Sequence, residues 1–207
     1  ESLSLTGSGV LGAASAGTQT ITNNNTLAIA DGSGGLASNY TLSGATINVT
    51  IIPRTLNISL SREYDGTTSV SGSSLTPTFD SLQGGETLAL SGTGSVSTAN
   101  VGSSKAVSLG SIALAAGSGN PSNYTLNSAT MDITQRVINL DGIRAYDAST
   151  NVLSSDINTF GNIVSGETLT ISGTGSVGTN SVAMNKAITL GSLSLENGSG
   201  LVSNYTL

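Results

Sequence analysis

The chain has 207 residues with a formal net charge of −6, and only 9% of the residues are charged and 3% aromatic. Cys, His and Trp are absent, so thiol nucleophiles, imidazole bases and Cys/His zinc sites are excluded. Six basic residues cannot build the positive patch that nucleic acid requires, and no apolar run is long enough to predict a membrane-spanning segment. The 35 Ser and 27 Thr alternate with Leu, Val and Ile, which disfavours helix and predicts an all-β chain.

A partial repeat is predicted at residues 1–53. It begins at Glu1 with the block Glu-Ser-Leu-Ser-Leu-Thr-Gly-Ser-Gly, and the pentapeptide Ser-Asn-Tyr-Thr-Leu places Tyr40 before the last predicted strand. Apolar residues that alternate with polar ones at period two form the buried face of a strand, and Gly/Ser/Asn clusters form turns. We therefore interpret this segment as the C-terminal part of a repeat.

A complete repeat is predicted at residues 54–135. Alternating apolar residues from Leu56 to Leu60 indicate its first strand. The motif Tyr64-Asp65-Gly66 is predicted to leave that strand as a turn, because Asp bonds to backbone two residues on and Gly permits positive φ. The Glu block and the pentapeptide then recur in the same order as in the partial repeat.

Residues 136–207 are predicted to form a third repeat that lacks its final strand, so the chain is a window on a longer array. Its turn, Tyr146-Asp147-Ala148, has Ala148 where the second repeat has Gly66. A positive φ at this position is therefore either not required or strained. Across the three repeats the pentapeptide Ser-Asn-Tyr-Thr-Leu recurs at intervals of 84 and 81 residues.

This period suits a small β-sandwich, so we expect tandem Ig-like sandwiches of about 80 residues each. The alternative is a parallel β-solenoid, because the Gly/Ser/Thr/Asn-rich, aromatic-poor composition is typical of that fold. A period of 81 residues is also close to four coils of about 20 residues. The repeats show no self-similarity at that shorter period, which favours discrete domains.

Three tyrosines occupy the same place in the three repeats, namely Tyr40, Tyr124 and Tyr205. Each stands two residues before a Leu, at the start of a predicted strand and after a Gly-rich turn. In immunoglobulin-like sandwiches a tyrosine in this place packs its ring in the core and bonds its hydroxyl to upstream backbone, which is called the tyrosine corner. We predict this structural role for all three, in preference to ligand stacking.

A few other side chains could carry chemistry. Lys105 and Lys186 are equivalent and could form an internal amide with Asn57 or Asn139, although solvated lysines are favoured. The loop that begins at Asp31 resembles a calcium loop, but its carboxylate is not repeated in the other copies. We therefore expect no metal, no cofactor and no catalytic residue, and predict that the protein is not an enzyme.

Five motifs of the complete repeat occur in one order: Arg62-Glu-Tyr-Asp-Gly-Thr-Thr68, Gly85-Glu-Thr-Leu88, Ser91-Gly-Thr-Gly94, Val101-Gly102 with Lys105-Ala-Val107, and Asn123-Tyr-Thr-Leu126. As a group they resemble the YDG repeat domain, which is similar to the mostly bacterial Ig-like modules that accompany it. The resemblance extends with gaps over essentially the whole chain. The third repeat departs from the pattern at Ala148, and the first lacks the Tyr-Asp-Gly block.

The resemblance implies a place in large exported bacterial proteins, many of them filamentous-haemagglutinin-like adhesins. We expect an extracellular or cell-surface location and a structural role, in which the repeats form a stalk that holds an adhesive region away from the cell. The alternative is that the repeats themselves bind exopolysaccharide or host glycans, or self-associate into filaments or biofilm matrix. Expected partners are thus other copies of the chain or surface polysaccharide.

Overall fold

The computed structural model describes all residues, 1–207, and it is all-β, as the sequence predicts. It contains no α-helix, and its helical residues lie in five three-residue 3₁₀ turns: Ala37–Asn39, Gly72–Ser74, Pro121–Asn123, Ser154–Asp156 and Val202–Asn204. The strands are β1 Leu3–Thr6, β2 Val10–Leu11, β3 Gly17–Asn23, β4 Ala28–Asp31, β5 Asn48–Ile51, β6 Arg54–Glu63, β7 Ser69–Ser71, β8 Thr78–Phe79, β9 Leu88–Ser91, β10 Thr93–Val96, β11 Gly102–Ser108, β12 Ala113–Ala116, β13 Tyr124–Thr134, β14 Arg136–Val137, β15 Asn139–Gly142, β16 Asn151–Leu153, β17 Ile157–Gly161, β18 Leu169–Ser172, β19 Thr174–Val177, β20 Ile188–Thr189, β21 Ser194–Asn197 and β22 Tyr205–Thr206. Helices of this length are too short to cross a membrane.

The chain forms two compact units. Unit 1 comprises Glu1–Asn57, Phe79–Ala89 and Leu114–Asn127, and unit 2 comprises Ile58–Thr78, Leu90–Ala113 and Ser128–Leu207. These units are defined by which residues lie close together in the folded chain. The repeat boundaries at 1–53, 54–135 and 136–207 stay a prediction from the sequence.

Unit 1 is built from short antiparallel pairs. Strand β1 pairs with β4, and β3 lies between β2 and β5. Its core cluster joins Leu56 of β6, Leu88 of β9 and Tyr124 of β13, which are buried, with three partly buried neighbours, Phe79, Leu82 and Leu114. Fully burying one such apolar side chain stabilises the fold by roughly 1.5–3 kcal/mol.

Unit 2 contains the strand order β7-β10-β11-β13-β6. Strands β6 and β13 run parallel, because residue numbers increase in the same direction along both strands at their hydrogen-bonded positions. Thr130 is hydrogen-bonded to Ser59, and Thr134 is hydrogen-bonded to Arg62 and Tyr64. The other ladders of the unit are β15–β17, β16–β19–β20, β18–β21 and the parallel pair β14–β22.

Burial in unit 2 follows the period-two pattern of the sequence. Ile58 and Leu60 of β6 are buried, whereas Ser59 and Ser61 between and after them are exposed. The same alternation buries Met131 and Ile133 of β13. Alternate side chains of a strand face opposite sides of its sheet, so this pattern directs the apolar set into one core.

Candidate functional site

Each Ser-Asn-Tyr-Thr-Leu motif sits at the end of a 3₁₀ turn, and Tyr40, Tyr124 and Tyr205 follow these turns directly. An oxygen from an Asp or Asn side chain caps each turn. Asp31 accepts the N–H of Ala37 at 2.7 Å, and Asn197 accepts that of Val202 at 2.7 Å. Tyr124 and Tyr205 are the first residues of strands β13 and β22, whereas no strand begins at Tyr40.

In every repeat the tyrosine hydroxyl donates to the glutamate that opens the Glu block. Tyr205 donates to Oε2 of Glu167 at 2.5 Å, and the Val164 N–H donates to the same hydroxyl at 3.2 Å. Tyr124 is bonded in the same way to Glu86 and to the Gln83 N–H. In the first repeat Tyr40 donates to Glu1 at 2.9 Å. The predicted corner role of these tyrosines in folding stays a prediction.

The glutamate is positioned by a tight turn. The Glu167 N–H donates to the Val164 carbonyl at 3.0 Å, and Gly166 between them has a φ of +89°. Glycine at the third position of a four-residue turn with positive φ is the signature of a type II turn. Both ends of this turn are therefore attached to one hydroxyl, that of Tyr205.

A second tyrosine shares the carboxylate of Glu167. Tyr64, from the Tyr-Asp-Gly motif of the second repeat, donates to Oε1 at 2.5 Å, while Tyr205 occupies Oε2. The two rings meet edge to face, with centroids 5.4 Å apart and an interplanar angle of 83°. Tyr64 is 4% and Tyr205 2% exposed, so the carboxylate joins two buried rings from neighbouring repeats.

Burial, and next the hydrogen bond to Glu167, raise the pKa of Tyr64 and that of Tyr205 to about 12 each. In Tyr124 the hydrogen bond to Glu86 is the main cause of a raised pKa. Tyrosines with raised pKa values stay protonated near neutral pH and act as hydrogen-bond donors. The site can therefore hold segments of chain together, because both oxygens of Glu167 are occupied by donors.

The loop that carries Tyr64 is built by its neighbours in sequence. Asp65 accepts the Thr67 N–H at 2.9 Å and forms an ion pair with Arg62 at 3.1 Å. Gly66 has a φ of +75°, and a Cβ at this position would lie 2.8 Å from Cγ1 of Val164. A side chain at this position would therefore be strained by the left-handed backbone conformation and would crowd Val164 of the third repeat.

An asparagine makes a second contact between the same repeats. Asn204 is 1% exposed, and its Oδ1 accepts the Val101 N–H at 2.9 Å, while its Nδ2 donates to Asn100 at 3.0 Å. In unit 1 the equivalent Asn123 accepts the Ala16 N–H at 2.8 Å. We call this set of contacts, made by the Tyr-Asp-Gly tyrosine and the Glu, Asn and Tyr of the next repeat, the repeat junction.

The third repeat builds the same loop without covering its tyrosine. Asp147 accepts the Ser149 N–H at 2.9 Å and pairs with Arg144 at 3.3 Å, as Asp65 and Arg62 do in the second repeat. Tyr146 is nevertheless 66% exposed. The sequence left open whether this position needs a positive φ or whether Ala148 is strained by one. Ala148 has a φ of +61°, so its backbone is strained.

The sequence analysis predicts no role for Glu167 or Asn204, the acid and the amide that complete the repeat junction. A signal was present, because the chain has only twelve acids and one of them recurs at the head of the same block in all three repeats. In a chain so poor in charge, a carboxylate that recurs with a tyrosine indicates a pair.

Lys105 and Lys186 donate to oxygen atoms of nearby loops. Nζ of Lys105 donates to Thr98 Oγ1 at 2.8 Å and to the Asn100 carbonyl at 2.6 Å. Nζ of Lys186 donates to the carbonyls of Thr179 and Ser181. No three acidic side chains lie together as a metal site would require.

Comparison with protein families places the most informative motifs in one named domain. The match covers the end of the first predicted repeat and most of the second. Residues 48–131 form a YDG domain. The YDG resemblance seen in the motifs is thereby confirmed for this part of the chain. Neither a curated protein nor a solved structure matches the chain.

Proposed function

We propose that the chain is a structural, non-catalytic segment of tandem Ig-like sandwich repeats, in a large exported bacterial adhesin of the filamentous-haemagglutinin type. There it holds an adhesive region away from the cell surface. The observation that carries the proposal is the recurrence of one contact between repeats. Asn123 binds the backbone of Ala16, and Asn204 binds that of Val101 in the same way.

Recurrent junctions suit a stalk for a physical reason. A flexible chain of beads folds back on itself, whereas a contact remade at every joint limits the angle between neighbours. The junction adds a charge-assisted bond from Tyr64 to Glu167, a type roughly twice as strong as a neutral hydrogen bond. The YDG domain supports the exported, cell-surface setting through its resemblance to adhesin repeats.

Sheet pairing favours the sandwich over the solenoid. In a parallel solenoid neighbouring strands are parallel throughout, whereas β1–β4, β10–β11 and β18–β21 are antiparallel. The cluster of Leu56, Leu88 and Tyr124 also joins side chains from two different sheets, which is how a sandwich forms its core.

Direct glycan binding is the weaker candidate. Sugar sites use exposed aromatic rings, and the chain has seven aromatic residues. Tyr64, Tyr124 and Tyr205 are buried, so three of the seven are withdrawn from any ligand.

The test is to replace this segment in the parent protein with an unrelated rigid spacer of equal length and to measure cell adhesion. Restored adhesion would support the stalk and place the specificity elsewhere. Adhesion that stays lost with the spacer, while the native segment restores it, would contradict the stalk and favour direct binding by the repeats. A spacer of half the length serves as the matched control for reach.

A further inference from the structure

The two longest strands of the chain lie side by side at the two ends of the predicted second repeat. Strand β6 spans Arg54–Glu63 and strand β13 spans Tyr124–Thr134. They are neighbours in one sheet and run parallel. The first strand of this repeat is therefore hydrogen-bonded to its last strand, and both strands point in the same direction.

This arrangement determines how tension along the chain would act on the β6–β13 ladder. Under tension, residues 1–53 pull on the start of β6 and residues 136–207 pull on the end of β13. Because the strands are parallel, these two points lie at opposite ends of the ladder, and the strands are pulled past each other. The bonds of a parallel ladder are evenly spaced, so they share this load at the same time. Bonds that are pulled apart from one end break one after another instead.

We propose that the β6–β13 ladder is a mechanical clamp, which gives the chain a load-bearing function. Backbone and side-chain bonds both hold the clamp within unit 2. The Tyr64 N–H donates to the Thr134 carbonyl at 2.9 Å, and Oγ1 of Thr134 donates to the Arg62 carbonyl at 3.4 Å. Nearer the middle of the strands, Oγ1 of Thr130 donates to Oγ of Ser59 at 3.4 Å.

Apolar side chains cover one face of the clamp. Ile58 and Leu60 of β6 and Met131 and Ile133 of β13 are each 3% exposed or less. This cover keeps water from competing for the ladder's hydrogen bonds, which are stronger in a low dielectric. Strand β13 is also paired with β11 on its other side, so it cannot slide along β6 without breaking a second ladder.

Tension that leaves this clamp enters the next repeat without a slack linker. Strand β13 ends at Thr134 and β14 begins at Arg136, so Gln135 alone lies between them. Strand β14 pairs in parallel with β22, with Arg136 opposite Tyr205. The third repeat therefore begins with the same kind of parallel pair. Repeats joined in series carry the same tension, so a stalk under load needs such a pair in each repeat.

The inference rests on the proposed stalk for its biological use, but pulling the full chain in optical tweezers tests it directly. The chain has no cysteine, so handles attach only to introduced cysteine pairs. The shear pair, Thr55→Cys with Thr134→Cys, loads the ladder from opposite ends. The matched control is Thr55→Cys with Thr125→Cys, and all three threonines are exposed. Both control handles lie at one end of the ladder, since Asn127 is bonded to Asn57 two positions further along each strand.

At equal loading rates we expect the shear pair to unfold at a several-fold higher force than the control. Forced unfolding is governed by the unfolding rate, and loading all bonds together raises the barrier to unfolding. The chain between Thr55 and Thr134 should be released in a single step. That step has an upper limit of about 280 Å, from the length of a fully extended chain.

A second shear pair covers the case in which Thr134→Cys disturbs the fold through its bond to Arg62. Glu63→Cys with Thr125→Cys pulls on the other two ends of the same ladder and should also resist more force than the control. Equal forces for shear and control pairs, or release in several small steps at low force, would overturn the clamp. A strong clamp with a failed spacer experiment would contradict the stalk alone, and a weak clamp with a successful spacer experiment would contradict the clamp alone.

Discussion

Removing one hydroxyl from the repeat junction should weaken the fold measurably. Tyr64→Phe keeps the ring that packs edge to face against Tyr205 and deletes the donor to Oε1 of Glu167. A hydrogen bond to a charged group contributes about 1.5–3 kcal/mol. Because Tyr64 is 4% exposed, water cannot easily replace the lost donor. We expect the free energy of unfolding to fall by about 2 kcal/mol.

Urea unfolding at neutral pH, followed by circular dichroism, measures this change through the midpoint at constant slope. In thermal unfolding the same loss lowers Tm by about 4–8 °C, since 1 kcal/mol moves a chain of this size by about 2–4 °C. Tyr146→Phe is the matched control, because it makes the same chemical change in the same loop at a residue that is 66% exposed. It should stay within about 0.5 kcal/mol of the parent.

Equal midpoints for Tyr64→Phe and Tyr146→Phe would refute the reasoning, since the two differ only in burial and in the bond to Glu167. A double-mutant cycle with Glu167→Gln makes the attribution specific. Residues in one hydrogen-bond network show coupling energies of about 0.5–3 kcal/mol, whereas independent sites add. A coupling near zero would mean that Tyr64 stabilises the chain through packing alone.

Three other predictions follow from the same junction. Gly66→Ala should lower the free energy of unfolding by about 1–3 kcal/mol, because the φ of Gly66 is +75° and the new Cβ would meet Val164. Ala148→Gly should instead raise the urea midpoint, because it relieves the strain of a φ of +61°. A lowered midpoint for Ala148→Gly would contradict this strain. Asn204→Ala should cost about 1–3 kcal/mol, because it leaves the half-buried Val101 N–H without its partner. Asn39→Ala, at an exposed position, should leave thermal unfolding unchanged, and equal losses in the two variants would argue against the contact. The two junction tyrosines have pKa values raised from 10.0 to about 12, so their contribution is fully present below pH 10 and is lost as pH rises through 12. In the double variant Tyr64→Phe, Tyr205→Phe, tyrosinate absorbance should show two fewer groups that titrate near pH 12. An unchanged titration would refute the assignment of these raised pKa values to Tyr64 and Tyr205.

Local sequence determined the strands and the repeats. Alternation at period two placed Ile58 and Leu60 in a core, and the Tyr-Asp-Gly and Ser-Asn-Tyr-Thr-Leu motifs marked the YDG domain that family comparison finds at residues 48–131. These features depend on residues close in the chain, since side-chain alternation and turn chemistry act over a few positions.

The junction depended on the tertiary structure. Glu167 binds Tyr205 38 residues away and Tyr64 103 residues away, and Asn204 reaches Val101 across a separation of 103 residues. No local pattern specifies such a partner, because it is chosen by how one repeat approaches the next. Tyr64 and Tyr146 illustrate this dependence on tertiary structure. They occupy matching loops held by equivalent Arg–Asp pairs, yet Tyr64 is 4% exposed where it bonds to Glu167, whereas Tyr146 is 66% exposed.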